Sequence, residues 1–285
     1  MIHDLASLLK DVPRTPQGSV RACLWRAALS ALIYKPAPIV RSAMEALPGV
    51  VHYEYYDQSG TQAGLVVFQD GSAEVVFRGT DQLYDWFYNG SISQVDANGI
   101  GLVHAGAHAH QGNVSSQIAM DIKRHAIKAV FLSGHSLGAM DAAIMGAYLP
   151  KTQVRAVYLY GSPRIGNAYF ARNYPHSVYR HSRWGDPATK LLVLLSLRGG
   201  WIPWPSRWVH LGDCILLGSS GIESTQSDWS TYLKVTARNW RDSLSEGKYL
   251  AMMRNAALAN IPYHGIEANY VTPLYKAWVA ESGVA

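Results

Sequence analysis

Apolar and polar positions alternate along the chain between strand-like runs and helix-like segments. The runs "QAGLVVFQ" (62–69) and "AEVVFR" (73–78) flank a short Asp-Gly-Ser sequence, which is typical of a β-hairpin. Farther along, "KAVFLSG" (128–134) and "VRAVYLYG" (154–161) flank a helix-like segment at 136–149. Two strands joined by a helix in this way are predicted to lie parallel. The alternation therefore predicts an α/β protein.

Helical periodicity also recurs elsewhere in the chain. Further helices are predicted at about 19–34, 36–47, 111–127 and 227–259. The chain has no internal repeat, low-complexity tract or long linker. We therefore expect its residues to form one domain, 1–285, with an N-terminal helical segment at about 1–48.

The composition is that of a globular protein, with 48% hydrophobic residues, 16% charged residues and a net charge of +5. Lys and Arg are scattered and form no basic stripe, so nucleic acid is not an expected partner. The longest apolar stretch, "LLVLLSL" (191–197), is too short to span a bilayer. The first residues do not resemble a secretory signal, so a cytoplasmic location is the default expectation, with secretion by another route left open. Cys23 and Cys214 are too few for a disulfide scaffold, and a reduced pair is favoured.

The sequence "SGHSLG" (133–138) places a serine between two glycines, after an apolar strand-like run and before a helical segment. A Gly-x-Ser-x-Gly pattern alone is a weak signal, but this context is that of a nucleophile elbow. The serine of such an elbow takes strained backbone angles, which need neighbours almost without side chains. Gly134 and Gly138 meet that need, so Ser136 is the candidate nucleophile.

A serine nucleophile needs a base, and the base needs a carboxylate to orient it. Asp141 follows the serine on the same helix and points away from the strand ends, which excludes it. Asp186 follows the strand-like "SVYRHS" (177–182) and is the best acid in the chain. Two later histidines can serve as the base: His210, in the apparent strand "RWVHLGDCILL", and His264, in a loop with flanking Pro and Gly.

These residues resemble the class 3 lipases, the fungal-type triacylglycerol lipases of the α/β-hydrolase fold. The resemblance is carried, in the family's order, by "GTQAGLVVFQDGSAEVVFRGTDQLYDW" (60–86), "GLVHAG" (101–106), "GHSLGA" (134–139), "YGSPRIGN" (160–167), Asp186 and "VHLG" (209–212). It implies an α/β-hydrolase fold with a central, mostly parallel sheet and helices on both faces.

The resemblance also implies a mechanism and further residues. It makes His264 the base and His210 structural, and it implies that the backbone N–H of Thr80 joins that of Leu137 in an oxyanion hole. The expected activity is lipid-ester hydrolysis through an acyl-enzyme, without a metal or organic cofactor. Three features depart from the family pattern: the acid block reads "GDPATKLL", Tyr270 lies six residues after His264, and Ala107 follows "VHAG".

Other features stay open at the level of sequence. Trp201 and Trp204 either pack in the core or line the acyl-chain site and contact lipid at an oil surface. A phospholipase A1 or an acyltransferase would use the same triad, and a non-catalytic lipid-binding module is a remote alternative. The spacing of the histidines in "HAGAHAH" is compatible with a metal, but no carboxylate or cysteine cluster accompanies them, so none is expected. Arg78 is expected to have a packing role.

Overall fold

The fold is taken from a computed structural model of the chain. It describes residues 4–15, 17–80, 93–183, 186, 188–190, 208–218, 221–225 and 264–283.

An eight-stranded sheet forms the centre of the described structure, in the order β1-β2-β3-β6-β7-β8-β9-β10. Its strands are β1 (Val50–Gln58), β2 (Thr61–Phe68), β3 (Ser72–Phe77), β6 (Ala129–His135), β7 (Val154–Tyr160), β8 (Val178–Arg183), β9 (Cys214–Leu217) and β10 (Ile222–Thr225). Neighbours from β3 to β9 pair in parallel, whereas the pairs at both edges are antiparallel. A separate pair, β4 (Gln94–Asp96) and β5 (Leu102–His104), is antiparallel.

Helices cover both faces of the sheet. They are α1 (Leu5–Asp11), α2 (Val20–Leu32), α3 (Ala37–Glu45), α4 (Ala105–Arg124), α5 (Leu137–Tyr148), α6 (Ala168–Asn173) and α7 (Thr272–Ser282). A 3₁₀ turn (Ala188–Lys190) and a π-helical turn (Glu267–Val271) complete the set. None of the helices in the described ranges is long and apolar enough to cross a membrane.

Alternate residues of the central strands contribute their side chains to two different apolar cores. Leu65, Val75 and Leu132 face the core beneath α4 and α5. Val66, Val76 and Phe131, one position along, face the core that α1, α2, α3 and α7 complete. The predicted mostly parallel sheet with helices on both faces is thus confirmed.

A buried ion pair joins the N-terminal helices to the sheet. The Arg26 guanidinium of α2 donates to both carboxylate oxygens of Glu74 on β3, at 2.9 and 2.7 Å, and both side chains are inaccessible to solvent. Arg14 donates a further bond to the same carboxylate at 2.9 Å. A two-pronged contact of this kind fixes orientation as well as distance, so α2 is held in one position on the sheet.

Several local predictions are confirmed. The hairpin is β2–β3, and the strand, helix, strand unit is β6–α5–β7, whose strands are parallel. The helix predicted at 111–127 begins earlier, at Ala105, because the His104 ring accepts a hydrogen bond from the Ala107 N–H at its first turn. The helix predicted at 227–259 lies outside the described residues.

The structure also differs from the predicted strand at His210 and gives the state of the two cysteines. The strand predicted around His210 is wrong for that residue, since β9 begins only at Cys214. Cys23 and Cys214 are both buried and free, so no disulfide joins them. The assignment of 1–285 to one domain stays a prediction.

Candidate active site

Ser136 lies in a sharp turn between β6 and α5. Its backbone angles are φ 62° and ψ −125°, a positive-φ conformation that non-glycine residues rarely adopt. A β-carbon on Gly134 would collide with the carbonyl of Gly138, and one on Gly138 would collide with the carbonyl of Phe77. The two glycines are therefore required by close backbone packing on either side of the serine, as predicted for a nucleophile elbow.

The "FRGT" loop after β3 packs against this elbow. A β-carbon on Gly79 would meet the main-chain oxygen of His135 and would lie 3.1 Å from the Ser136 β-carbon. Thr80, which is half-buried, follows directly, and Leu137, fully buried, begins α5. The loop carrying Thr80 and the first turn of α5 thus meet beside Ser136, the two places from which backbone donors are expected.

Asp186 is a fully buried carboxylate that accepts several hydrogen bonds. One of its oxygens accepts from the Ala188 N–H at 2.9 Å, and the other accepts from the Tyr270 hydroxyl. The Nδ1 atom of His264 lies 2.9 and 3.0 Å from the two carboxylate oxygens. The structure therefore joins Asp186 to His264, which lie far apart in sequence.

This contact defines which nitrogen of His264 is available for chemistry. A carboxylate can only accept, so Nδ1 carries the proton that it donates to Asp186 and leaves the lone pair on Nε2. Nε2 is buried and has no hydrogen-bond partner among the described residues, and the same holds for the Ser136 hydroxyl. The His264 ring packs against the ring of His135, directly before the serine, with 4.5 Å between ring centroids. A candidate base and a candidate nucleophile, whose reactive atoms have no hydrogen-bond partner in the described part of the chain, thus lie at the same end of β6.

Tyr270 is the residue at this site that sequence reasoning missed. It is fully buried, and burial together with the Asp186 charge raises its pKa well above the ordinary value, so its hydroxyl stays protonated and donates. Its distance of six residues from His264 is a departure from the family pattern. The π-helical turn at Glu267–Val271, which begins three residues after His264, carries Tyr270 back to the carboxylate. A tyrosine after the histidine was the available signal, but only a widened turn explains its spacing.

His210, the other candidate base, lies elsewhere. It is half-buried, and desolvation, with nearby Arg180 and Arg164, holds its pKa well below the ordinary value. Its Nδ1 has no hydrogen-bond partner among the residues that the structure describes. The carboxylate of Asp186 is bonded to His264 and not to His210.

The three histidines of "HAGAHAH" (104–110), considered above as possible metal ligands, each make a separate contact. His108 bonds Tyr148 at 2.6 Å, His110 bonds the buried Asp141 at 2.9 Å, and His104 caps α4. Within the described ranges, no cluster of three or more His, Cys, Asp or Glu side chains could hold a metal.

Arg78 donates to the Gln62 side chain at 2.7 Å and lies over the Tyr34 ring, as a packing role requires. Trp201 and Trp204 lie outside the described residues.

The sequence of the region around this site matches a known family. Residues 74–195 match the family model for lipase (class 3). The chain is similar to the secreted mono- and diacylglycerol lipase 1 of Fusarium solani, with 30% identity over 152 residues, which are 46% of this chain and 44% of that protein. The chain spans less than half of the length of the curated relatives it matches.

The fold is similar to those of solved fungal lipases. A triacylglyceride lipase of Rhizomucor miehei superposes with a TM-score of 0.58 at 18% identity, over 75% of this chain and 89% of that one. A mono- and diacylglycerol lipase of Aspergillus oryzae superposes with a TM-score of 0.58 at 19% identity, over 74% and 84%. At such low identity these matches establish the fold alone, which is the α/β-hydrolase fold. Over residues 74–195 the chain thus matches the model of the class 3 lipases, the family that its motifs indicated, and its described structure has the α/β-hydrolase fold.

Proposed function

We propose that this protein is a serine carboxylic-ester hydrolase that acts on lipid esters, as a triacylglycerol lipase or esterase. One observation carries the proposal: a strained, glycine-flanked serine directly follows His135, whose ring packs against that of His264, and His264 is bonded to a buried carboxylate. This is the arrangement that lowers the barrier to attack by a hydroxyl group, which is otherwise a poor nucleophile at neutral pH.

In the proposed mechanism, the Ser136 hydroxyl attacks the ester carbonyl carbon while Nε2 of His264 takes its proton. The tetrahedral intermediate collapses, and His264 protonates the departing alcohol, leaving an acyl group on Ser136. Water then attacks the acyl-enzyme with His264 again as base, and the carboxylic acid and free Ser136 are regenerated. Asp186 stabilises the imidazolium that forms in both halves and holds the ring in the correct tautomer.

The negative charge that develops on the carbonyl oxygen needs donors that are already in place. In the proposal these are the backbone N–H groups of Leu137 and Thr80. Loss of one such donor typically costs about 2.7–4 kcal/mol of transition-state stabilisation. The packing of Gly79 against Ser136 and of Gly138 against the end of β3 supports this assignment, because it holds the two donor-bearing segments against the nucleophile.

The substrate class is inferred from the relatives and from the chain between Asp186 and His210. Two relatives are named as mono- and diacylglycerol lipases, and these names favour acylglycerols as the substrate class proposed for this protein. We propose that Trp201 and Trp204 line the acyl-chain wall and contact a lipid surface. Because one relative is named as secreted, the comparisons give no support to a cytoplasmic location.

The test is substrate hydrolysis by the wild-type protein and two alanine variants. The panel is a series of p-nitrophenyl esters, an emulsified triglyceride, a phospholipid and a peptide, with acid release followed for each. Ser136→Ala should abolish ester hydrolysis without loss of fold. Ser133→Ala is the matched control, because Ser133 is also buried on β6, with a hydroxyl that has no partner in the described chain. A phosphonate inhibitor should label Ser136 only.

The panel also separates the alternatives. Preference for the phospholipid would indicate a phospholipase A1, and transfer of the acyl group to an added alcohol in place of water would indicate an acyltransferase. Retained hydrolysis in Ser136→Ala, or labelling of another serine, would contradict the proposed nucleophile. A wild-type protein that hydrolyses none of the esters would contradict the proposed function.

A further inference from the structure

His135 occupies a position that the proposed mechanism does not use. It lies between Gly134 and Ser136, is almost completely buried, and packs its ring against that of His264 at an interplanar angle of 33°. Its ring also meets the edge of the Tyr270 ring, with 5.7 Å between centroids. His135 thus lies against the base and beside the tyrosine that supports the acid.

The orientation of His135 is set by Tyr34, a residue outside the segment that matches the lipase family. The Tyr34 hydroxyl and Nδ1 of His135 are 2.9 Å apart, which is a hydrogen bond. Tyr34 follows the end of α2, and α2 is fixed on the sheet by the buried bond between Arg26 and Glu74. The tyrosine is therefore held by a rigid element and not by a mobile loop.

The same hydroxyl lies in the narrow space between the elbow and the "FRGT" loop. A β-carbon on Gly79 would collide with it, and the Arg78 guanidinium lies over the Tyr34 ring, 5.3 Å from its centroid. Tyr34 therefore contacts both the loop that carries Thr80 and the residue before the nucleophile.

The electrostatics of His135 suit a positioning role. Burial holds its pKa well below the ordinary value, and the charge of protonated His264 lowers it further, partly offset by a main-chain group of His264. Two adjacent imidazoles cannot both hold a proton at low cost, and only His264 has a carboxylate beside it. His135 therefore stays neutral during the proposed reaction.

We propose that His135 is a positioning residue for His264, that the Tyr34 hydroxyl fixes its ring, and that the N-terminal helical segment thereby completes the active site. This inference rests on the proposed function, since it assigns His264 the role of base. A ring held against one face of the His264 imidazole keeps Nε2 directed at the nucleophile throughout both half-reactions. Neither His135 nor Tyr34 exchanges a proton with the substrate in this proposal.

The first test is Tyr34→Phe, which removes the hydroxyl and keeps the ring. Tyr53→Phe is the matched control, because Tyr53 is buried on β1 and its hydroxyl has no partner in the described part of the chain. On a soluble p-nitrophenyl ester, Tyr34→Phe should lower kcat about tenfold, equivalent to ~1.4 kcal/mol, with KM within twofold of wild type. Its Tm should lie below that of the control, because a hydrogen bond to the buried His135 ring is lost. A variant with the kcat and KM of the control would overturn the proposal.

The second test is a double-mutant cycle with His135→Phe, which keeps an aromatic ring against His264 but cannot bond Tyr34. If Tyr34 acts through His135, Tyr34→Phe should cause no further loss of kcat in the His135→Phe background. Losses that multiply would mean that the hydroxyl acts independently, and would overturn the assigned path. If His135→Phe does not fold, the test rests on Tyr34→Phe alone. A lower kcat with KM within twofold of wild type then supports the proposal, and an unchanged kcat overturns it.

Ser136→Ala, measured alongside, separates the two proposals. An inactive Ser136→Ala with an unaffected Tyr34→Phe contradicts only this inference, whereas an active Ser136→Ala contradicts the proposed function itself.

Discussion

Replacing Tyr270 by Phe removes one oxygen atom from the surroundings of the Asp186 carboxylate and leaves the ring in place. In the wild-type protein, that carboxylate accepts from the Tyr270 hydroxyl, from the Ala188 N–H and from His264. The variant keeps the last two donors. Because the site is fully buried, water cannot simply take the place of the missing hydroxyl.

The size of the effect follows from the charge of the acceptor. A hydrogen bond to a charged group contributes about 1.5–3 kcal/mol, so we expect Tyr270→Phe to lose roughly 2 kcal/mol of folding free energy. For a chain of this size, that loss corresponds to a decrease in Tm of about 4–8 °C. If the same contact holds Asp186 in place as the imidazolium forms, kcat should fall by up to about 30-fold.

The assay combines thermal unfolding with steady-state kinetics on one p-nitrophenyl ester. Tyr158→Phe is the control, because Tyr158 is equally buried in the sheet, and within the described residues its hydroxyl has no hydrogen-bond partner. The control should retain both Tm and kcat within narrow limits. If Tyr270→Phe behaved like the control, the hydroxyl would contribute nothing to the acid, and the reasoning would be refuted.

His264→Ala should lose several orders of magnitude in turnover, whereas His210→Ala should lose mainly stability. If His210→Ala were inactive with an unchanged Tm, His210 and not His264 would be the base. Burial raises the pKa of Asp141 from 3.8 to about 6, so its contribution to stability is present near pH 4 and is lost as the pH rises through 6. The test compares the unfolding free energies of the wild type and Asp141→Asn, measured in urea. The wild-type value minus the variant value should fall by up to about 3 kcal/mol between about pH 4 and pH 7. A difference that stays constant over this range would contradict the raised pKa of Asp141. The double variant Trp201→Ser, Trp204→Ser should lose more kcat/KM on an octanoate ester than on an acetate ester, and equal losses would mean that the acyl chain binds elsewhere.

The elbow was predictable from sequence because its cause is local. The strained serine, the two glycines and the flanking strand and helix all lie within a few residues, and their steric requirements are visible in the residue types. The β2–β3 hairpin was predictable for the same reason. Asp186 and His264 could be nominated from chain order and family resemblance, but their contact depends on how the chain returns to the sheet.

What could not be predicted depends on distant or irregular structure. Tyr34 approaches His135 across 101 residues, and no periodicity indicates such a contact. Tyr270 reaches Asp186 only through a π-helical turn, which residue spacing does not specify. Strand β1 (Val50–Gln58) was missed because it pairs on one side only and much of it is exposed, so it lacks an apolar run.

The path of the chain through the site has a consequence for biosynthesis. The proposed nucleophile and acid lie at residues 136 and 186, whereas the proposed base and Tyr270 follow only at residues 264 and 270. A growing chain that has not reached residue 264 therefore lacks the base of the proposed mechanism. In the proposed enzyme, a chain terminated before residue 264 is therefore inactive, and hydrolytic activity requires translation to continue past the codon for His264.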